Sequence, residues 1–137
     1  MKASILYLSL KNWRRDTEMK VITLGEILLR LSTADDVRLK SAKEFRVCYG
    51  GAEANVGISL AHFGHDVSVA TVLPQDNPLN DAVSSRLRMN GIDTNLVATE
   101  YGRLGTYFLE QGNAGRASRV TYDRLYSSIS VLNELCW

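Results

Sequence analysis

The sequence is poor in the residues that would mark several functional classes. Of its 137 residues, two are cysteine, two histidine and two proline. Cys48 and Cys136 stand far apart with no Cys-x-x-Cys spacing, and His62 and His65 merely straddle Gly64. Neither a zinc site nor a disulfide framework is suggested, and both thiols read as reduced and structural, as in a cytoplasmic protein. Charge is balanced, with sixteen Lys and Arg against fifteen Asp and Glu and a formal net charge of +1. The one dense cationic patch, Lys11 to Arg15, is too short to track a phosphate backbone, which excludes a nucleic-acid partner. No apolar run approaches the ~20 residues of a membrane span. Lys2 followed by Ala3 to Leu10 looks like the start of a signal peptide, but basic residues come directly after it without a small-residue cleavage pattern. The expectation is a cytoplasmic chain with neither membrane nor nucleic-acid partners.

The composition is that of a globular α/β chain, 45% hydrophobic and 23% charged. Residues 1 to 18 differ in pattern from the remainder of the chain and read as an extension outside the domain, which occupies 19–137. Val21, Ile22 and Leu24 suit the first buried strand of a parallel sheet, ending at Gly25-Glu26. Ile27 to Leu31 continues as an extended piece, and Glu44 to Cys48 alternates as a half-exposed strand does. A helix begins after Gly51 and runs to about Phe63, with Val56, Leu60 and Phe63 on one face, widened by Ile58 and Ala61, and Gly64 closing it. Val67 to Leu73 is a strand rich in β-branched residues, so strand, helix and strand read as a parallel crossover. Pro78 opens a second helix to about Met89, which Asn90-Gly91 stops. Leu104 to Gln111 and Ser118 to Asp123 are strands joined by a Gly112–Gly115 turn. The extended pieces without helices imply a small β-sheet separate from the main α/β layer.

Chemistry concentrates at Tyr49-Gly50-Gly51-Ala52-Glu53-Ala54-Asn55-Val56. Paired glycines let a ligand approach the main chain, and the helix start behind them offers free N–H groups to a polar or anionic ligand. An amide at Asn55 both donates and accepts, which suits hydroxyl groups.

Gly25-Glu26, Gly50 to Asn55, Leu73-Pro74 through Pro78-Leu79, Tyr107-Phe108-Leu109-Glu110 and Tyr122-Asp123-Arg124, in this order, resemble the N-terminal part of the ribokinase-like (PfkB) carbohydrate kinases, and most closely the 2-keto-3-deoxygluconate kinases. The resemblance covers Met19 to about Leu132. It implies a partial Rossmann-like sheet with a β-sheet lid, and a family activity in which ATP and Mg²⁺ phosphorylate a sugar or sugar acid. It also implies that Gly50 and Gly51 form a hinge touching the sugar, that Asn55 bonds its hydroxyls, that Tyr107 faces the substrate from the lid, and that Arg124 lies near its carboxylate or polar end. Bidentate pairing of an arginine with a carboxylate favours an acid over a neutral hexose. Each residue also has a plain structural role open to it: turn, helix cap, strand packing and surface charge, respectively. Leu109 departs from members that carry a second arginine on that strand.

The family draws its catalytic base and anion hole from a Gly-Ala-Gly-Asp segment, and the sequence contains none. An Asn-x-x-Glu block for the metal is also absent, Asn133 and Glu134 being adjacent. The resemblance therefore implies no catalytic residue here, a chain matching roughly the first third of a kinase, no activity alone, and poor binding of ATP and Mg²⁺. The alternative is a non-catalytic sugar-binding module, or one that dimerises through its lid strands. Exposed lid edges and an unfinished core lead further to an expectation of low solubility or stability that depends on association.

Overall fold

A computed structural model describes residues 20–132 of the chain. The proposed extension at 1–18 and Cys136 lie outside the described residues. Eight strands and two α-helices, in the order β1 (Lys20–Leu24), β2 (Leu28–Ser32), β3 (Arg46–Gly50), α1 (Ala52–His62), β4 (Asp66–Pro74), α2 (Leu79–Met89), β5 (Ile92–Asp93), β6 (Val97–Glu100), β7 (Thr106–Glu110) and β8 (Arg119–Asp123), form two sheets.

The first sheet is the base. Its centre is β4, buried from Val67 through Pro74, as its continuous apolar and β-branched sequence requires. Parallel neighbours are β1 on one side and, on the other, β5 beside Val67 and Ser68 and β6 beside Thr71 to Pro74. Val67, Val69, Leu73, Val83, Leu87, Ile92 and Leu104 form the core with Ile27 and Ala54. Burying each large aliphatic among them contributes about 1.5–3 kcal/mol before entropy is charged. Asp93 ties the layer laterally, accepting from the buried Ser68 hydroxyl at 3.0 Å and from the Lys20 ammonium at 3.0 Å. The Asn95 N–H together with these bonds holds its carboxyl below the usual aspartate range.

The second sheet is the lid, ordered β3-β2-β7-β8. Hairpin-like pairing joins β2 to β3 and β7 to β8, while β2 and β7 run parallel. The expected turn between β7 and β8 closes through reciprocal main-chain bonds of Asn113 and Arg116 at 2.9 and 3.0 Å. Phe45 packs edge-to-face on Phe108 on one side of this sheet.

The helix ends obey local chemistry. Gly64, at φ +90°, lets its own N–H reach Ala61 O and the His65 N–H reach Leu60 O, a Schellman closure of α1. Asn77 Oδ1 accepts the Leu79 N–H at 2.9 Å beside Pro78 at the start of α2.

Four expectations are corrected. Ile22 and Leu24 are 57% and 51% exposed, because β1 pairs only with β4 among the described residues and one of its faces is uncovered. The buried face of α1 is Ala54 and Gly57, with Ile58 and Ala61 against the core, whereas Val56 and Phe63 are exposed. Small residues win that face because the helix sits close on the sheet: a Cβ on Gly57 would lie 3.2 Å from Thr23 Oγ1 and 3.4 Å from Val67 Cγ1. The parallel partner of β4 is β1, not the strand just before α1, because β3 turns away into the lid. That strand also runs two residues further than alternation indicated, ending at Gly50.

Candidate functional site

The base and the lid meet where β1 ends, and an acidic residue stands at the junction. In parallel sheets, ligands gather outside the carboxyl ends of strands. Glu26, two residues beyond β1, has a side chain only 7% exposed. Its main-chain carbonyl lies so close to Gly51 that a Cβ there would collide with it. Its carboxylate Oε2 accepts from Arg124 Nε at 2.7 Å, with Arg124 Nη2 at 2.5 Å, while buried Oε1 has no hydrogen-bond partner and lies against Gly105.

The structure places the sequence-predicted residues in two groups that Glu26 joins. Gly50, Gly51 and Asn55 form the first: Gly51 is the residue before α1, its carbonyl accepts the Asn55 N–H at 2.9 Å, and Asn55 Oδ1 lies 3.3 Å from where a Cβ on Gly50 would stand. Asn55 is exposed, with its amide beside the bare Gly50 backbone. Tyr107 and Arg124 belong to the second group. Tyr107 packs against its cross-strand partner Tyr122, ring centroids 5.7 Å apart, and the Arg124 guanidinium stands 5.9 Å from the Tyr122 ring. Beside them Arg103 grips Asp123 through two bonds of 2.8 and 2.7 Å, which hold the Asp123 carboxyl below its usual range.

Pleating puts Gly50, Cys48, Arg30, Tyr107 and Tyr122 on one face of the lid, since Cys48 is registered opposite Arg30, Arg30 opposite Tyr107, and Tyr107 opposite Tyr122. With Asn55 and Arg124 beside it, this face offers an amide, two phenols and guanidinium groups. That set suits a polyhydroxylated ligand carrying negative charge.

Sequence reasoning missed Glu26 and Arg30. Glu26 carried a signal, being a carboxylate two residues after an apolar strand. Arg30 carried none, because its neighbours Cys48 and Tyr107 come from two other strands distant in sequence.

The pfkB family of carbohydrate kinases matches residues 18–132. The chain belongs to this family. It is similar to a 2-dehydro-3-deoxygalactonokinase of Haloferax volcanii, 32% identical over 111 residues that make up 81% of this chain and 35% of that protein. Among solved structures it is similar to a 2-dehydro-3-deoxygluconokinase of Thermotoga maritima, at 49% identity and a TM-score of 0.78, over 84% of this chain and 35% of that one. A PfkB family carbohydrate kinase of Listeria grayi superposes with a TM-score of 0.81 at 40% identity, over 87% of this chain and 37% of that one. The chain thus spans about a third of the length of these relatives. Its α/β layer and second sheet match the ribokinase-like PfkB fold that the resemblance implied. Among the described residues no helix is long and apolar enough to cross a membrane.

Proposed function

We propose that this chain forms the sugar-binding side of a sugar-acid kinase cleft, for 2-keto-3-deoxygluconate or a related acid. Gly50 and Gly51 bring bare backbone to the sugar and Asn55 bonds its hydroxyls. Tyr107 covers it from the lid, and Arg124 lines its polar end. The observation that carries the reading is Glu26, whose carbonyl lies close against Gly51 and whose carboxylate accepts from Arg124 beside the lid. Through it the two groups share one junction.

Our reading gives ATP and Mg²⁺ no site of their own on these residues, and what supports it is that the sequence has no Gly-Ala-Gly-Asp segment. On this reading the 137 residues alone bind sugar without transferring phosphate, and the kinase activity belongs to a protein of the relatives' full length. Calorimetric titration with 2-keto-3-deoxygluconate, and separately with a non-hydrolysable ATP analogue, tests it. Sugar binding without nucleotide binding is expected; nucleotide binding as tight as sugar binding would contradict the division of labour.

One observation favours a second reading, a lid that also pairs with another copy. All five residues of β8 are exposed, and its outer edge has no strand partner among the described residues. Sedimentation velocity would show a dimer that Val120→Lys or Tyr122→Lys dissociates.

A further inference from the structure

We infer that Arg30 receives the carboxylate of the sugar acid, which makes it a specificity-determining residue of the lid. The inference rests on the sugar-acid reading and deepens it. Arg30 lies at the middle of β2, flanked in register by Cys48 and Tyr107, on the same lid face as Gly50. Its Nε is buried and has no hydrogen-bond partner, and none of the ion pairs among the described residues includes it. A buried donor on a charged group is costly to leave unmade, and a planar guanidinium fork matches a carboxylate. The Cys48 thiol and, after it, the Tyr107 hydroxyl favour the charged guanidinium, while burial opposes them.

The two arginines at the junction of lid and base are committed to carboxylates. Arg124 is held by Glu26 and Arg103 by Asp123. Leu109, on the neighbouring strand β7, is apolar, and Arg46 is exposed at the outer end of edge strand β3. The cation in the middle of the substrate-facing sheet is therefore Arg30. A carboxylate there would sit between Tyr107 and Cys48 while the hydroxylated chain of the sugar extends toward Gly50 and Asn55.

The test compares 2-keto-3-deoxygluconate with its neutral methyl ester on the full chain, by titration and by iodoacetamide alkylation of Cys48 followed by peptide mass spectrometry. Wild type should prefer the acid and be protected at Cys48 by the acid alone. Arg30→Met should lose about tenfold to a hundredfold in acid affinity and with it the preference over the ester. Arg30→Lys should retain part of that preference, and Arg46→Met should match wild type. An Arg30→Met protein that keeps the acid preference overturns the assignment, as does a wild type that binds acid and ester equally. If wild type binds neither compound, the sugar-acid reading itself fails and the assignment falls with it. Should Arg30→Met not fold by circular dichroism, Cys48 protection in wild type decides: protection by the acid alone supports the assignment, and its absence overturns it.

Discussion

The base and the lid solve different problems, each with a four-stranded sheet. In the base, every residue of β4 after Asp66 is buried, and helices, flanking strands and side chains meet in one core. In the lid, every residue of β8 is exposed, and the sheet is held by cross-strand pairs and by polar ties such as Glu110, which accepts from the Leu39 N–H at 2.9 Å and from Arg116 at 2.7 Å. Burial carries stability in the first; in the second, exposed polar and aromatic groups are the ones the proposed sugar site would use. A surface that must admit and release a hydroxylated ligand cannot also be sealed as a core.

The contrast predicts where substitutions hurt. The largest effect is expected at the junction between the two sheets. Gly51→Val drives a side chain into the Glu26 carbonyl, a main-chain group that cannot swing aside, and should cost about 3 kcal/mol or leave no folded protein, read by thermal melting. Next, Leu73→Ala in the base leaves a cavity in the core that holds Val67 and Val69 and should cost about 2–5 kcal/mol in a denaturant titration, with little direct effect on the sugar site. Glu26→Gln should be milder for stability, about 1 kcal/mol, because Arg124 is half exposed and its ion pair is partly screened. It should nonetheless weaken sugar binding more than Leu73→Ala does; equal binding losses in the two would erase the distinction between base and lid.

The smallest effect concerns pH. Asp93 has its folded pKa lowered by the Asn95 N–H, Lys20 and Ser68, so its contribution is present above the unfolded aspartate value of about 3.9 and is lost as pH falls through the lower folded value. Wild type should therefore lose melting temperature below about pH 4 more steeply than Asp93→Asn. Parallel curves for the two proteins would show that the Asp93 bonds contribute nothing to the base.

Much of this architecture was legible in the chain. The β-branched run of β4, Gly64, the Pro78 start of α2 and the Gly112–Gly115 turn are local signals, and each appears where it was expected. The face of α1 was not legible. Periodicity favoured the large residues Val56 and Phe63, but the sheet selects Ala54 and Gly57 because small residues permit close approach. For the candidate site, Gly50, Gly51 and Asn55 are neighbours in sequence and their proximity comes from a turn. Arg124 and Glu26 are 98 residues apart, and nothing in either segment encodes that they meet.

By itself, then, the sequence determined the kind of the longer elements, most of their boundaries to within a few residues, and membership in a kinase family through motifs whose order survives translation into strands. Tertiary structure alone decided that β4 pairs with β1, that β3 leaves for the lid, and that Arg30 stands between Cys48 and Tyr107. The physical reason is range. Propensity, capping and turn geometry act within a few residues, whereas register and ion pairing are set by which distant segments can be buried together.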